Sequence, residues 1–459
     1  MITTSIAVIG AGFSGTLLAW HLAHRCPPAT RIHLIERQAK VGSGVAYGTE
    51  NSSHLLNVRA GRMSAFEDRP DDFLDWLRAL PEAECLGAAP TADSFVPRRL
   101  YGTYLRNRLD EALSTGGRLT LLRGDVVSLA ANGEGCTLKI EGGDRVRADL
   151  VVLATGNFPP QPLPLTNPAG YATGSYRADP WATDALSALD RAAPVLLIGT
   201  GLTTIDVVIS LLDQGHTGPI HAISRRGLLP RRHADGAVPV ADVTDPLPTG
   251  VVALAHDLRH AARRHMAGGG DWRSLLDGMR PFIQDIWQAM SPTDRSRFLR
   301  HGRPWWDVHR HRIAGPVADR IDAARASGQF QLHAGNLDAY APAGEGIEAT
   351  YRPRGSDRVE RLRVARAINC TGPGSDYTRL ADPLISGLLA AGTVRPDTHR
   401  LGLDVTTGCA LVDRAGAISR RLFAVGPVTR GAFWEMTSVP DLRRQCAYLA
   451  GRLASLATA

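Results

Sequence analysis

The strongest constraint on the fold of this chain is an apolar strand that runs into a glycine-rich turn and then into a helix. Residues 5–9 predict a buried strand, and Gly10, Gly12 and Gly15 follow it with the spacing Gly-x-Gly-x-x-Gly. The first glycine permits a tight turn, the second lets a phosphate approach the backbone, and the third lets the helix pack on the strand. The start of the helix then offers its amides to an anion. The pattern predicts a parallel α/β sheet that binds a dinucleotide.

The next strand indicates which dinucleotide fits this first turn. It covers residues 32–35 and ends on Glu36, 26 residues after Gly10. A carboxylate at this place can accept hydrogen bonds from both hydroxyls of an adenosine ribose, so we expect FAD here. The residues predicted to contact it in this segment are Gly10, Gly12, Phe13, Ser14, Gly15, Glu36 and Arg37.

A second strand, turn and helix follow the same plan from residue 194 onwards. Gly199 and Gly201 keep the first two glycine positions, whereas Thr204 takes the third. The strand after this helix covers residues 219–223 and is followed by Ser224, Arg225 and Arg226, with no acid. Guanidinium groups bind a 2′-phosphate that a carboxylate would repel, so we expect NADPH here. The residues predicted to contact it are Gly199, Gly201, Thr203, Thr204, Ser224, Arg225 and Arg226.

An alternative for the arginines is that they are ordinary surface residues. The net charge is +7, and all but two of the 52 basic residues are arginine, the exceptions being Lys40 and Lys139. This bias explains the basic balance without nucleic acid, which we therefore do not expect as a partner.

Each turn is followed by a β-meander and by a strand that ends in Thr-Gly, so the chain contains an internal repeat. Residues 119–140 and 330–351 predict β-meanders. Residues 148–156 form a strand that ends in Thr155-Gly156, and residues 365–372 form one that ends in Thr371-Gly372.

With these residues the chain resembles the flavoproteins that have two dinucleotide-binding domains, in which an NAD(P)H domain is inserted into an FAD domain. The strand that ends at Gly426 fits this family, although Pro427 stands where the family usually has aspartate. The resemblance implies an α/β fold with two Rossmann-like domains of the glutathione-reductase type. We expect FAD binding by residues 1–190 and 373–459, NADPH binding by 191–372, and a helical insertion at about 252–318.

More closely, the chain resembles a bacterial group of FAD/NAD(P)-binding proteins related to flavin-dependent monooxygenases, including ornithine and lysine N-hydroxylases. The segments that carry this likeness are 44–48, 54–57, 61–66, 95–102, 298–312 and 439–443. The resemblance implies that the loop 41–48 runs along the flavin and that His54, Asn57 and Met63 lie near its ring. Asn57 is thus a candidate for contact with flavin or peroxide, a turn-capping role being the alternative. The remaining predicted flavin contacts are Val126, Thr155, Gly156 and Gly426, with Thr371 and Gly372 at the second site.

The segment 252–318 is too long for an ordinary connection between a strand and a helix, and it carries our candidates for substrate contact. These candidates are Trp306, His309 and Arg312. Its basic residues and tryptophans also fit stacking on single-stranded nucleic acid. The helical spacing of Ile283 and Trp287 favours instead a packed apolar core.

Other classes of protein are not indicated. The six cysteines form no Cys-x-x-Cys pair and no zinc-binding spacing, so we expect reduced thiols and no metal. The sequence shows neither a signal peptide nor an apolar run long enough for a membrane span, so we expect a cytoplasmic protein that does not bind membranes.

The sequence contains no hydrolase motif or acid–base constellation, which leaves the difficult chemistry to the flavin. Our first hypothesis is a monooxygenase in which NADPH reduces FAD and a peroxyflavin oxygenates an amine, a sulfur or a carbonyl carbon of a small substrate. The second is an NADPH-dependent reductase that passes electrons to a quinone, a carrier or O2. The third is a flavin-bearing binding or scaffold protein with little turnover. The oligomeric state stays open.

Overall fold

The computed structural model describes residues 4–81, 89–234, 236, 240 and 250–458, so Cys85 lies outside the described residues. The chain divides into two units. The first comprises Met1–Ser52, Val58–Phe158 and Gly374–Ala459, and the second comprises Ser53–Asn57 and Pro159–Pro373.

The first unit is built on a mostly parallel sheet in the order β15–β16–β7–β1–β2–β3. Its strands are β1 (Ser5–Ile9), β2 (Arg31–Glu36), β3 (Leu119–Arg123), β7 (Leu150–Leu153), β15 (Ala410–Val412) and β16 (Ile418–Ala424). β7 is buried along its whole length, as expected for a parallel strand covered on both faces. The predicted first meander forms a separate antiparallel sheet of β4 (Val126–Asn132), β5 (Gly135–Ile140) and β6 (Arg145–Ala148).

Helices cover the sheet of the first unit. They are α1 (Phe13–Arg25), α2 (Gly44–Tyr47), α3 (Asp72–Arg78), α4 (Arg98–Ser114), α12 (Pro383–Ala391) and α13 (Val439–Thr458). α1 packs against α13 and α4. The buried face of α13 includes Leu442, Cys446, Leu449 and Leu453, whose spacing of three or four residues places them on one side.

The second unit repeats this plan with a sheet in the order β13–β12–β11–β10–β9–β14–β8. Its strands are β8 (Tyr176–Arg177), β9 (Val195–Ile198), β10 (Ile220–Ser224), β11 (Phe330–Ala343), β12 (Gly346–Pro353), β13 (Glu360–Val364) and β14 (Arg366–Asn369). The strands β8, β14, β9, β10 and β11 pair in parallel, whereas β11, β12 and β13 form the second meander.

The boundary between the units differs from the predicted one. Residues 159–190 belong to the second unit rather than to the first. The reason is that β8 pairs in parallel with β14, and Tyr171 and Tyr176 pack against Tyr340 of β11. A short segment, Ser53–Asn57, also belongs to the second unit.

The inserted segment of the second unit is helical, as predicted. After α5 (Leu202–Asp213), the helices are α6 (Val251–Ala267), α7 (Trp272–Gly278), α8 (Ile283–Ala289), α9 (Pro292–Arg297), α10 (Arg303–Arg310) and α11 (Gly315–Ala326). Ile283 and Trp287 are buried, which confirms the core role that their spacing indicates. Among the described residues, no helix has the length and apolarity that a membrane crossing requires.

The buried face of α1 contains a histidine, and this makes the stability of the protein sensitive to acid. His21 is 3% exposed, and neither ring nitrogen has a hydrogen-bond partner among the described residues. Burial, followed by the charge of Arg25, lowers the pKa of His21 from 6.5 to about 4. The unfolded chain therefore binds a proton between pH 6.5 and pH 4 that the folded chain does not bind.

Above pH 6.5 His21 is neutral in both states and takes nothing from the free energy of unfolding. As the pH falls from 6.5 toward 4, protonation of His21 in the unfolded chain lowers that free energy. We expect His21→Leu to remove up to about 3 kcal/mol of the acid-dependent loss of unfolding free energy. Urea denaturation of both proteins across this pH range measures the difference. His24→Gln is the control, because His24 is exposed on the same helix. If His21→Leu and wild type lose stability in parallel, the assignment is wrong.

Candidate functional site

The first glycine turn is closed to side chains on its inner side. Gly10 has φ +103°, and a Cβ built on it would lie 2.5 Å from the carbonyl oxygen of Ala154 on the neighbouring chain segment. A Cβ on Gly15 would lie 1.8 Å from the carbonyl oxygen of Gly10. α1 therefore rests directly on the turn, and only glycine at both positions allows this packing.

The outer side of the same turn is open. Gly12 precedes α1, and no described side chain caps the first amides of that helix. A Cβ on Gly12 would meet only the Cα of Gly44, at 3.6 Å. The amide of Gly42 donates to the carbonyl oxygen of Ala11 at 2.8 Å, which holds the glycine-rich loop beside the turn. Phe13 and Ser14 start α1, so its first turn is available to an anion such as a pyrophosphate.

Glu36 ends β2 with a buried carboxylate that the turn itself binds. Its Oε2 accepts from the amide of Ala11 at 2.5 Å, and its Oε1 accepts from the amide of Gln38 at 2.8 Å. A carboxylate has about four lone-pair positions, so two remain for ribose hydroxyls. Arg37 extends differently, because its guanidinium lies 3.4 Å from Asp382 and 3.6 Å from Asp125.

The late strand β16 brings a fourth glycine to this turn. Gly426 has φ +84°, and a Cβ on it would lie 2.5 Å from Ser14 Oγ. Its amide donates to Gln445 Oε1 of α13 at 2.8 Å, and Pro427 starts the next short turn. Gly156 adopts φ +70° after β7, beside Thr155. The side chain of Val126 lies in the apolar core, so any cofactor contact of this residue would come from its backbone.

The second glycine turn approaches the neighbouring strand end as closely as the first does, and it leaves more open space on its outer side. A Cβ on Gly199 would lie 2.4 Å from the carbonyl oxygen of Cys370, whereas a Cβ on Gly201 would meet nothing within 4 Å. Thr204, in the third glycine position, donates from Oγ1 to the carbonyl oxygen of Gly199 at 2.8 Å. This hydrogen bond explains how threonine replaces glycine here. Thr203 lies in the first turn of α5.

Thr200 is a residue of this turn that the sequence reasoning missed. Its hydroxyl donates to the carbonyl oxygen of Leu228 at 2.6 Å, so the hydroxyl of Ser224, 2.8 Å away, donates to Thr200. Ser224 also accepts from the amide of Gly227 at 3.0 Å. Ser224 therefore shapes the bend after β10, and donation to a phosphate requires its proton to leave Thr200. The sequence signal that could have identified Thr200 is its hydroxyl side chain between Gly199 and Gly201.

The two arginines after β10 are free of acidic partners in the described part of the chain. Arg225 is exposed, and Arg226 is half-buried with its Cζ 5.8 Å from the ring centroid of Trp305. The guanidinium of Arg225 is therefore available for an anion, whereas that of Arg226 lies near the indole ring. After β14, on the other side of β9, the amide and the hydroxyl of Thr371 donate to Asn369 Oδ1, and Gly372 adopts φ +89°.

The residues predicted near the flavin ring fall into different units. Nε2 of His54 lies 3.0 Å from the carbonyl oxygen of Asp206 and 2.9 Å from Ser210 Oγ, both on α5. The backbone oxygen of Asn57 accepts from His233 Nε2 at 3.0 Å. Both residues belong to the second unit, whereas Met63 is buried in the first. Their proximity to a flavin stays a prediction.

The three candidates for substrate contact have different surroundings in the insertion. Arg312 is buried and forms an ion pair with Asp277 within the insertion. Nδ1 of His309 donates to the carbonyl oxygen of Trp305 at 2.8 Å. Trp306 is half-buried, with its ring 6.4 Å from that of Phe298. Contact of these three residues with a substrate stays a prediction.

Cysteine and metal chemistry find no support in the described residues. The five described cysteines are buried and unpaired, and burial raises the pKa of Cys26 and of Cys136 to about 11. Such thiols are poor nucleophiles. No group of three His, Cys, Asp or Glu side chains that could hold a metal ion occurs in the part of the chain that the structure describes.

Comparisons with known proteins agree with this geometry. Residues 7–158 match a family model described as FAD-NAD(P)-binding. No curated protein matches the chain. Over nearly its whole length, the chain has the fold of two-domain flavoproteins.

Three solved structures illustrate the likeness in fold. Ornithine hydroxylase from Pseudomonas aeruginosa is 15% identical, with a TM-score of 0.65 and 99% of both chains covered. Ornithine N-hydroxylase from Kutzneria sp. 744, a complex with reduced FAD, NADP+ and L-ornithine, is 14% identical, with a TM-score of 0.65 and full coverage of both chains. The FAD-bound cadaverine monooxygenase from Erwinia amylovora is 12% identical, with a TM-score of 0.66, 97% of this chain and 92% of that chain covered.

Proposed function

We propose that this protein is an FAD-dependent monooxygenase that uses NADPH and O2 to oxygenate a small nucleophilic substrate in the cytoplasm. The observation that carries the proposal is the contrast between its two glycine turns. β2 ends on a buried carboxylate, Glu36, whereas the equivalent strand β10 is followed by Arg225 and Arg226, which have no acidic partner among the described residues. One turn thus suits an unphosphorylated ribose and the other a 2′-phosphate.

The residues of the first turn fit FAD. The amides at the start of α1 and the open face of Gly12 would hold the pyrophosphate, and Glu36 would accept from the ribose. Gly156 and Gly426 offer backbone without side chains beside this turn. Bound FAD supplies two-electron transfer and reaction with O2, which no side chain of the protein can perform.

The residues of the second turn fit NADPH in the same way. Gly201 leaves open space at the start of α5, where the amides of Leu202 and Thr203 would bind the pyrophosphate. Arg225 would bind the 2′-phosphate with charge-assisted hydrogen bonds. Thr200 and Ser224 hold the bend that carries it.

The cysteines disfavour a dithiol reductase, and the neighbours in fold favour a monooxygenase. A dithiol reductase needs a reactive cysteine pair beside the flavin, and the described cysteines are buried and unpaired. The solved structures named above are an ornithine hydroxylase, an ornithine N-hydroxylase and a cadaverine monooxygenase. An amine is therefore the first nucleophile to try, ahead of sulfur or a carbonyl carbon.

The deciding experiment is anaerobic reduction of the FAD-loaded protein with NADPH, followed by mixing with O2 in a stopped-flow spectrometer. We expect NADPH to bleach the absorbance of the flavin. Mixing with O2 should then produce a long-lived absorption spectrum that differs from those of oxidised and reduced flavin. Reoxidation without that species would favour the reductase or oxidase alternative. Failure of NADPH to reduce the flavin would contradict both and leave a binding or scaffold role.

A further inference from the structure

The helical insertion places an exposed tryptophan beside Arg226, the second of the two arginines that follow β10. Trp305 lies in the first turn of α10 and is 44% exposed, although most tryptophans of this protein are more enclosed. Its ring is 5.8 Å from the guanidinium of Arg226, two residues after the end of β10. The backbone oxygen of Trp305 is bonded by His309, whose ring packs on Trp272, so the helix turn that carries Trp305 is anchored within the insertion.

We propose that Trp305 is an adenine-binding platform, which gives the insertion a role in recognition of the nucleotide. The inference rests on the proposed function, because it requires the 2′-phosphate of NADPH at Arg225. In that nucleotide a single ribose links the 2′-phosphate to adenine, so the base must lie next to the phosphate. Trp305 offers a flat apolar surface there, and an indole ring stacks well on a purine.

The role of Arg226 follows from the same geometry. A guanidinium near an indole ring is attracted to its electron-rich face, which orients both side chains at the end of β10. Arg226 therefore positions the platform, whereas Arg225, which is exposed, is left for the phosphate. This division explains why two arginines occur where one suffices for a 2′-phosphate.

The test uses 2′,5′-ADP as the probe, because it contains the adenine and the phosphate but cannot reduce a flavin. We expect Trp305→Ala to raise the Kd of 2′,5′-ADP about tenfold, as loss of one stacked base implies. Trp305→Phe should restore most of the affinity. Met266→Ala is the control, because Met266 is a similarly exposed apolar residue of the insertion, at 49%.

Fluorescence supplies a second readout that a purely structural role would not change. Stacking of adenine quenches tryptophan emission, so 2′,5′-ADP should quench the wild-type protein more than Trp305→Phe. If Trp305→Ala bound 2′,5′-ADP as tightly as the wild type and NADPH still reduced its flavin normally, the platform would be overturned and the NADPH assignment would stand. No binding of 2′,5′-ADP by the wild type would overturn the platform together with the NADPH assignment. If Trp305→Ala lost binding of oligouridylate but kept binding of 2′,5′-ADP, the platform would be overturned in favour of a site for single-stranded nucleic acid.

Discussion

The Gly15→Ala variant is expected to lose its FAD and to unfold several degrees below the wild type. The added Cβ would lie 1.8 Å from the carbonyl oxygen of Gly10, and backbone cannot yield as a flexible side chain does. α1 must move off β1, which costs about 3 kcal/mol by analogy with overpacked cores and displaces the amides that we propose for the pyrophosphate of FAD. The melting temperature and the flavin retained after gel filtration measure both effects.

The control for this variant is Gly451→Ala. Gly451 also lies inside a helix, α13, but a Cβ there would meet nothing within 4 Å. Alanine is the better helix former by up to about 1 kcal/mol, so this variant should keep its flavin and gain slightly in stability. Equal stability and equal flavin content of the two variants would contradict the close packing of α1 on the turn.

The Arg225→Ala variant is expected to raise the KM for NADPH about 10- to 100-fold and to leave the KM for NADH nearly unchanged. A charge-assisted hydrogen bond to a phosphate contributes about 1.5–3 kcal/mol, and NADH lacks the phosphate that would receive it. The initial rate of flavin reduction at varied concentrations of each nucleotide gives both constants.

Arg325→Ala serves as the matched control for charge. Arg325 is exposed at the end of α11, and its removal changes the net charge of the protein by the same amount. A fall in NADPH affinity as large as that in Arg225→Ala would assign the effect to general electrostatics. An equal rise in the KM for NADH in Arg225→Ala would contradict the 2′-phosphate assignment.

The glycine turns were predictable from sequence because backbone geometry leaves little choice at their positions. Gly10 and Gly199 both adopt positive φ and both approach a carbonyl oxygen of the neighbouring closing strand. Apolar runs on either side of each turn predicted the parallel strands. The length of the segment 252–318 predicted an insertion, and the spacing of Ile283 and Trp287 indicated helices in it. These features depend on local sterics and periodicity, which the order of residues contains.

The roles of individual polar side chains were less predictable. Arg312 has the sequence environment of a surface residue, yet Asp277, 35 positions earlier, pairs with it in the buried interior of the insertion. Ser224 ends a strand as a phosphate ligand would, yet its hydroxyl donates a hydrogen bond to Thr200 Oγ1. Such partners come from distant segments, and no local pattern specifies them.

By itself, the sequence determined that this chain has two dinucleotide turns, with an acid after one and arginines after the other. It did so because glycine spacing and the charge at a strand end are local properties. Only the tertiary structure decided that residues 159–190 belong to the second unit, where β8 joins the sheet, and that Trp305 meets Arg226 just after β10. These outcomes depend on which distant surfaces pack together, and burial of apolar area over the whole unit selects them.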